Sequence, residues 1–227
     1  MTKTDVFWAT ASTVRENLEI DEAKARAAGQ SGEHVLRFWW GGPPTVVLGA
    51  SERPEQTAYL DECRRLGVEV LKRISGGGAV LQTRDVLNYS LVMPSPALSG
   101  LKASYGIATD LVCTLLDIFG IQGAQAGTSD VSVGNRKISG NAQCRRWKSL
   151  LLHGTILVDF DYDLADAVLR HPKCEPEYRS GRTHREFLVT LRELRVDAGR
   201  EVIEPAALEA AHRLLGTGKP SPSGVWR

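Results

Sequence analysis

A run of glycines is the first feature of this sequence that could perform chemistry. Gly76, Gly77 and Gly78 follow Ser75 directly, after a predicted strand. Consecutive glycines lose much conformational entropy on ordering, so their use here indicates that backbone amides approach an anion without intervening Cβ atoms. Arg73 would add a cationic fork for a phosphate or a carboxylate. The other interpretation is a flexible turn between strands, and the glycines alone leave both open.

The same segment excludes the two commonest nucleotide-binding loops. Residues 72–80 fit neither the G-x-x-x-x-G-K-[ST] pattern nor the G-x-G-x-x-G pattern. A nucleotide bound here would therefore need a different geometry.

A second segment sets Lys137 on a predicted strand beside small and amide side chains rather than among charges. A strand lysine ordinarily extends into water. Here Ser139, Gly140 and Asn141 leave open space around the ammonium. A partly desolvated lysine could then hold a carboxylate against a phosphate while charge shifts between them, so Lys137 is the predicted catalytic residue.

A third segment places His153 and Gly154 inside an apolar predicted strand. A histidine in such a strand is ordinarily a hydrogen-bonded core residue. The neighbouring glycine again indicates close approach of backbone, which leaves a cavity-lining histidine as the alternative.

The elements that would position these segments follow from apolar periodicity and turn residues. They predict helices packed on a largely antiparallel sheet, which is a mixed α+β fold. Helices are predicted over 14–28 (ending at Gly29), 54–67, 105–119, 164–169 and 205–215, with Pro205 near the first turn of the last. Strands are predicted over 34–40 and 45–48 around a turn, and over 68–71, 88–93, 130–133, 137–142 and 150–160, with a hairpin at Gly134-Asn135 and a short apolar run at 194–196.

The composition excludes several classes of protein. A chain of 227 residues with 42% hydrophobic residues can bury one substantial core. Lys plus Arg total 28 and Asp plus Glu 27, so no long-range field attracts nucleic acid or an anionic membrane. We find no signal peptide or membrane-spanning stretch and no C-x-x-C pair. These observations predict a cytoplasmic protein without nucleic acid or membrane partners.

Together the three segments resemble the catalytic domain of the lipoate-protein ligase family, which is related to biotin ligases and octanoyltransferases. Arg73 to Val80, with Ala79 and the later Asn88, resembles the family's first signature. Ser129-Asp130 followed by 136–143 resembles the second, and His153-Gly154-Thr155 the third. The order and spacing of the segments agree, and the resemblance covers about residues 14 to 191.

The resemblance implies a fold of the biotin/lipoate ligase catalytic-domain type and a division of the chain. Residues 1–191 would form the catalytic domain. Residues 192–227 would form a short strand and helix extension with a mobile tail, which is too short for a full accessory domain. A separate accessory subunit could then be needed.

The resemblance also implies an activity. Lipoic acid and ATP with Mg²⁺ would condense to lipoyl-AMP, and a lysine of a lipoyl carrier domain would then attack the activated carbonyl. The carrier would be of the 2-oxoacid dehydrogenase E2 type or the glycine cleavage H protein type. Lys137 would be catalytic, and Asp130 would place the nucleotide or magnesium. Val80, Trp39 and Trp40 are candidates for the acyl slot. The implied binding residues are Arg73, Ser75, Gly76, Gly77, Gly78, Ala79, Val80, Asn88, Asp130, Ser139, Gly140, Asn141, His153, Gly154 and Thr155.

Alternatives remain open at this point. Related octanoyltransferases carry an acyl-accepting cysteine in about the region of Cys174, so an ATP-independent octanoyl or lipoyl transfer through a thioester is the second hypothesis. A non-catalytic carrier-binding relative is the third. A biotin ligase would share the fold, although its glycine motif differs. The cationic segment 176–187 is either a solvated loop or a docking edge for an acidic carrier, through Arg179, Arg182 and Arg185.

Overall fold

The computed structural model describes residues 4–95, 100–172 and 174–216, without the side chains of residues 101 and 102. Within these residues, ten strands and seven helices alternate along the chain. The strands are β1 Thr4–Trp8, β2 His34–Trp40, β3 Thr45–Leu48, β4 Glu69–Lys72, β5 Val80–Gln82, β6 Val86–Pro94, β7 Ala124–Ala126, β8 Asp130–Val133, β9 Arg136–Arg146 and β10 Ser149–Leu157. The helices are α1 Val14–Ser31, α2 Pro54–Thr57, α3 Leu60–Arg65, α4 Leu101–Ile118, α5 Tyr162–Val168, α6 His184–Phe187 and α7 Arg200–Leu215.

The strands form two sheets. The larger sheet has the order β1-β2-β6-β10-β9-β8-β7, and the smaller has the order β4-β3-β5. β1 pairs with β2 in parallel and β3 with β4 in parallel, while the other pairings are antiparallel. The predicted α+β class with largely antiparallel sheets is confirmed.

The larger sheet is covered on both faces. Apolar side chains of α4 and α7 pack on one face, and α1 packs on the other through Ala25 and Ala28. β6 lies between β2 and β10, and every residue from Val86 to Met93 is buried. The strand predicted over 88–93 is therefore present, and it begins two residues earlier, at Val86.

The smaller sheet has its own apolar layer and meets the larger one at a seam. Its inner face packs on α3 and α5. A separate cluster of Val14, Trp39, Val47 and Leu71 joins α1, β2 and the smaller sheet. The seam between the sheets is therefore fixed by packing, and it carries the cavity described below.

A buried ion pair ties α1 to the larger sheet. The Arg37 guanidinium lies 2.6 Å from an Asp21 carboxylate oxygen, and both side chains are about 1% exposed. Arg37 also donates to the side chain of Asn17, and Ser90 donates to Asp21. Burial raises the pKa of the Asp21 carboxyl, and the charge of Arg37 opposes that shift. Losing either partner would leave an uncompensated buried charge.

The structure corrects the predicted end of the first helix. α1 continues to Ser31 and ends at Gly32, whose φ of 76° provides the left-handed cap. Gly29, the predicted stop, lies inside the helix. A Cβ at Gly29 would lie 1.7 Å from the carbonyl oxygen of Trp147, so this glycine serves close packing of α1 on the β9–β10 turn.

Other element predictions were wrong in position. β2 and β3 belong to different sheets, so residues 41–44 cross the seam instead of closing a hairpin. The helix predicted over 54–67 is two short helices, because Ala58 adopts an extended conformation between them. β1, β5 and β7 had not been predicted.

The C-terminal extension also differs from the prediction. Residues 194–196 form no strand, because 191–195 turn the chain back towards α7. α7 begins at Arg200, so Pro205 lies inside the helix rather than near its first turn. Ile203, Ala207 and Ala210 join the main core beside α4. The predicted mobile tail falls largely on residues 217–227, which lie outside the described residues.

Two further observations concern the cysteines and the lengths of the helices. Cys63, Cys113, Cys144 and Cys174 are all free thiols. Among the described residues, no helix combines the length and apolar character needed to cross a bilayer.

Candidate active site

A cavity of about 370 Å³ opens at the seam between the two sheets. It gathers the three segments that the sequence singled out, together with the segment that precedes and includes α6. The predicted residues that line it are Arg73, Gly77, Gly78, Ala79, Val80, Asn88, Asp130, Lys137, Gly140, Asn141, His153, Gly154, Thr155 and Cys174. Of the other predicted residues, Ser75 and Ser139 are buried, and Gly76 is exposed on the loop.

Lys137 reaches the cavity as one partner of an ion pair. Its Nζ lies 2.9 Å from Oδ1 of Asp130, with the lysine side chain 26% exposed and the aspartate 11% exposed. A Cβ at Gly140 would lie 2.7 Å from Nζ of Lys137, so glycine at this position provides the space for the ammonium. The open space predicted around Lys137 is therefore present, and the neighbouring β8 strand supplies its counter-ion.

A tyrosine that the sequence analysis missed holds the other oxygen of Asp130. The hydroxyl of Tyr178 donates to Oδ2 of Asp130 at 2.9 Å. Burial, followed by the Asp130 charge, raises the pKa of Tyr178, so the hydroxyl keeps its proton at neutral pH. Tyr178, Asp130 and Lys137 thus form a continuous chain, in which Tyr178 orients the counter-ion of the predicted catalytic lysine.

Replacing Tyr178 by phenylalanine is expected to lower kcat for acyl transfer about tenfold, since a hydrogen bond to a charged acceptor contributes about 1.5 kcal/mol. KM for the acid should change little because Tyr178 acts through Asp130. Steady-state kinetics of carrier acylation would test this, with Tyr59→Phe as the control, since Tyr59 is 40% exposed. An unchanged kcat would remove Tyr178 from the positioning chain.

The glycine loop is folded around Arg73. The guanidinium donates to the carbonyl of Gly76 at 2.7 Å, to that of Gly78 at 3.0 Å and to the hydroxyl of Ser75 at 3.0 Å. Burial lowers the pKa of Arg73 to about 10, so it stays charged at neutral pH. From the sequence, Arg73 was predicted to bind the ligand. In the structure, its N–H groups donate to the glycine loop instead.

The loop offers its amides instead. In the described part of the chain, the N–H groups of Gly76, Gly77 and Gly78 donate to no protein acceptor. Gly77 has a φ of 87°, and a Cβ at Gly76 or Gly78 would meet open space. Such a loop can present peptide N–H groups to an anion, as the run of glycines predicted.

His153 is joined to the loop from the neighbouring strand. Its Nε2 lies 2.6 Å from Oγ of Ser75. Burial, together with the nearby Arg73 charge, lowers the pKa of His153 to about 3. The imidazole is therefore neutral at neutral pH, and both sequence interpretations hold in part, because a hydrogen-bonded interior histidine also lines the cavity.

This pKa predicts a pH effect on stability. Between about pH 6.5 and 3 the unfolded chain protonates His153 while the folded chain does not, so folding loses free energy as the pH falls, by at most about 1.4 kcal/mol per pH unit. The free energy of unfolding, measured with urea between pH 7 and 4, should therefore fall more steeply for the wild type than for His153→Gln. Parallel curves for the two proteins would contradict the prediction.

Amide side chains complete the floor of the cavity. Asn141 donates to the carbonyl of Ser129 at 2.8 Å and accepts from Tyr89. A Cβ at Gly154 would lie 1.9 Å from Oδ1 of Asn141, which explains the glycine beside His153.

Asn88 exchanges two hydrogen bonds with Gln82, of 2.7 and 3.0 Å, which the sequence did not reveal. This pairing occupies the amide of Asn88, so the residue shapes the wall.

Comparison with known proteins identifies the family. Residues 13–210 match the family described as the lipoyl protein ligase A/B catalytic domain. The chain belongs to this family. The predicted family is thereby confirmed, as is an enzyme of the lipoate-protein ligase or octanoyltransferase kind.

Some similar proteins are named octanoyltransferases, and others are named lipoate-protein ligases. Octanoyltransferase LipM of Carboxydothermus hydrogenoformans is 37% identical over 185 residues, which are 72% of this chain and 68% of the relative. Lipoate-protein ligase A subunit 1 of Thermoplasma acidophilum is 29% identical over 173 residues, which are 72% of this chain and 65% of the relative.

Solved structures of family members share the fold. A bi-partite lipoate protein ligase from Thermoplasma acidophilum superposes with a TM-score of 0.84 at 24% identity, covering 97% of this chain and 87% of that one. A lipoate-protein ligase A bound with ATP gives 0.81 at 23% identity, with the same 97% and 87% coverage. The predicted fold type is confirmed.

Cys174, the predicted alternative nucleophile, lies in the cavity wall. Its side chain is exposed, and it lines the same cavity as Lys137. No hydrogen bond joins Cys174 to Lys137 in the described part of the chain.

The surroundings of Asp130 do not fit a magnesium site built from protein ligands. Its two oxygens already accept from Lys137 and Tyr178. Across the described ranges, no group of three His, Cys, Asp or Glu side chains could hold a metal ion. Asp130 thus acts as a counter-ion in this structure, and its role as a magnesium ligand, which the resemblance implied, stays a prediction.

The cationic segment is folded onto the protein. Arg182 donates to the carbonyls of Asn135 and Tyr178, at 2.9 and 2.7 Å. Arg185 pairs with Asp163 at 2.8 Å. Arg182 is thus held by backbone carbonyls, whereas Arg185 is exposed and paired at the surface, so a docking edge for an acidic carrier stays a prediction.

Proposed function

We propose that this chain attaches a lipoyl or octanoyl group to a lysine of a carrier domain, and that it activates the acid with ATP as an acyl-adenylate. The observation that carries the proposal is a single cavity shared by the Lys137 ammonium and the unpaired amides of the glycine loop. Both groups stabilise negative charge, and an acyl-adenylate is a small mixed anhydride that concentrates such charge at one point.

In this proposal each step uses groups of the chain for binding and charge stabilisation. The carboxylate of the acid attacks the α-phosphorus of ATP, and pyrophosphate leaves. The carrier amine then attacks the acyl carbonyl, an amide forms, AMP leaves and the amine loses a proton. Lys137 would balance the charge that develops on the carboxylate and phosphate oxygens, with Asp130 holding its direction. His153 would line the site without moving a proton, since a pKa of about 3 makes its imidazole a weak base and its Nε2 is bound to Ser75.

The apolar part of the wall supports a fatty acyl substrate. Trp39, Val47 and Val80 line the cavity beside the glycine loop. Trp40, the other tryptophan suggested by the sequence, lies in the main core and donates to Glu204 at 2.7 Å. A dry slot next to a polar floor is typical of sites for amphipathic ligands.

Thioester transfer through Cys174 is the second candidate. It is favoured by the position of Cys174 in the cavity wall and by the relative named octanoyltransferase at 37% identity. In that reaction the Cys174 thiolate would displace the donor thiol, and the carrier amine would then displace Cys174. Neither displacement needs ATP.

Carrier domains are the partners that fit this proposal. The similar Thermoplasma acidophilum structure is titled as a bi-partite lipoate protein ligase with its E2 lipoyl domain. By analogy we propose an E2-type or H-protein-type carrier for this chain, together with a separate accessory subunit. A cytoplasmic location stays a prediction that fits the four free thiols.

The two candidates require opposite donors, so one assay separates them. The purified chain is incubated with an apo carrier domain and either lipoate, ATP and Mg²⁺ or octanoyl-acyl carrier protein, with and without a candidate accessory subunit. Intact-mass measurement then detects acylation of the carrier. We expect a mass gain in the ATP arm that survives Cys174→Ser. A gain confined to the octanoyl arm and abolished by Cys174→Ser would establish the second candidate, and no gain in any arm would indicate a non-catalytic carrier-binding protein.

A further inference from the structure

Arg179 is a buried arginine in the wall of the cavity. It ends the short 3-10 turn Glu177–Arg179, and only 6% of the residue is exposed. Its Nε donates to the carbonyl of Arg182 at 3.0 Å and lies 3.4 Å from the Glu175 carboxylate. The sequence analysis placed this residue in a solvated or docking segment, whereas the structure turns it inwards.

Most of the hydrogen-bonding capacity of this guanidinium is unused. Nη2 of Arg179 is sealed from solvent without an acceptor. Within the described residues, Nη1 also has no protein acceptor. Buried donors are ordinarily paired, because leaving a charged donor without an acceptor destabilises the folded protein. The unpaired donors therefore indicate a partner outside the chain.

The nearest carboxylate is shared among three groups. Glu175 accepts from the backbone N–H of Gly181 at 2.7 Å and contacts His171 at 3.0 Å, in addition to its longer contact with Arg179. Burial lowers the pKa of Arg179, and the charge of Arg182 adds to this while Glu175 opposes it. An arginine stays charged despite such a shift. The charges of Glu175 and Asp166 therefore favour the charged form of Arg179, although Nη2 of the guanidinium is left without an acceptor.

The other two cations in the same wall are committed elsewhere. Lys137 is paired with Asp130, and Arg73 donates to the carbonyls of Gly76 and Gly78. Among these three cationic side chains, Arg179 is the one whose terminal nitrogens have no protein acceptor within the described residues.

The orientation of Arg179 is fixed in advance. Its guanidinium stacks 4.9 Å from the centroid of the Phe187 ring, and Phe187 is itself buried. The neighbouring Tyr178 anchors the turn to Asp130. A preorganised guanidinium loses little entropy when it binds an oxyanion.

We propose that Arg179 is a further anion-binding residue of this cavity, beside Lys137 and the glycine-loop amides, and binds an oxyanion of the substrate, either the carboxylate of the acid or the phosphate of its activated form. This inference rests on the proposed function for the identity of the anion. It reassigns to Arg179 the role that the sequence suggested for Arg73.

The test compares charged and neutral ligands. Calorimetry would measure octanoate, octanamide and AMP binding to the wild type, Arg179→Gln and Arg179→Lys. The matched control is Arg185→Gln, whose exposed side chain pairs with Asp163 and lies outside the cavity wall. We expect Arg179→Gln to weaken octanoate or AMP about 10- to 100-fold, as for loss of a charge-assisted pair. Octanamide should bind unchanged, Arg179→Lys should keep part of the affinity, and the control should match the wild type. A loss of octanoate affinity in Arg179→Gln would indicate that Arg179 binds the carboxylate, and a loss of AMP affinity would indicate that it binds the phosphate.

Each other outcome would overturn the proposal. Thermal unfolding first shows that the variants are folded. Wild-type affinity in folded Arg179→Gln, an equal loss of octanoate and octanamide, or no anion binding by the wild type at millimolar concentration would each reject Arg179. If the anion binds through Arg179 but no carrier is acylated, the proposed function fails and the site stands. If Arg179→Gln acylates carriers with the wild-type KM, the Arg179 site is rejected and the proposed function stands.

Discussion

Replacing Lys137 by methionine is expected to reduce kcat/KM for carrier acylation by at least about a hundredfold, or about 2.7 kcal/mol of transition-state stabilisation. The ammonium lies in the cavity 2.9 Å from Asp130, beside the space that Gly140 leaves open. Methionine fills a similar volume without the charge, so the substrate would still enter while developing negative charge would lose its nearest flexible cation. The variant would also leave Asp130 facing the substrate as an uncompensated carboxylate.

The control for this prediction is Lys24→Met, on the exposed face of α1. It removes one ammonium of the same kind without touching the cavity. Intact-mass kinetics of carrier acylation would compare the two variants with the wild type, alongside their unfolding temperatures. Activity of Lys137→Met within a few fold of the wild type would remove Lys137 from the chemistry of the site.

Replacing Gly49 by alanine is expected to lower the free energy of unfolding by about 1–3 kcal/mol, because the added methyl group overpacks the site. The rate of carrier acylation is expected to fall about a hundredfold. The new Cβ would lie 1.9 Å from the carbonyl oxygen of Gly77 and 2.8 Å from its carbonyl carbon. These are backbone atoms, so relief requires the loop to move by about an ångström or more, and a shift of this size is enough to misplace reacting groups. Gly49 also donates to the carbonyl of Gly78 at 3.1 Å, a bond that the shift would strain.

Gly106→Ala provides the matched substitution. A Cβ at this position inside α4 would meet nothing within 4 Å, so alanine should raise stability by up to about 1 kcal/mol through its better helix propensity. Urea unfolding and acylation rates measured on both variants would test the contrast. If Gly49→Ala and Gly106→Ala had the same stability and the same acylation rate, the glycine loop would tolerate displacement and the prediction would be wrong.

The parts of the site that the sequence predicted are those formed within single segments. The glycine loop, the Lys137 strand and the His153 strand each carry a local pattern, and β8 and β9 do form the hairpin expected at Gly134-Asn135. The glycine patterns also indicated correctly the space for Lys137 at Gly140 and the close approach at Gly154. Local chemistry therefore located the cavity wall before any pairing was known.

The partners within that wall could not be predicted, because they depend on long-range contacts. Tyr178 lies 48 residues from Asp130 along the chain, and Ser75 lies 78 residues from His153. Arg73 looked free for a ligand only because the carbonyls it binds have no signature in the sequence. Gly49 is a single glycine far from any motif, and its role depends on the opposing loop.

The helix and strand errors have a similar origin. Gly29 looks like a stop signal, yet its helical conformation is imposed by packing on the turn at Trp147. Pro205 looks like a first-turn proline, yet α7 extends five residues before it because Ile203 joins the main core. In both cases tertiary contacts outweighed a local preference.

The edge of the β9 strand is completed from far along the chain. The backbone N–H of Val189 donates to the carbonyl of Lys137 at 2.9 Å, next to a bridge between Lys137 and Leu188. During synthesis on the ribosome, therefore, the lysine emerges about fifty residues before the segment that secures its backbone. A nascent chain released before that point would display the signature residues without an assembled site, so truncated translation products should be inert towards the acid.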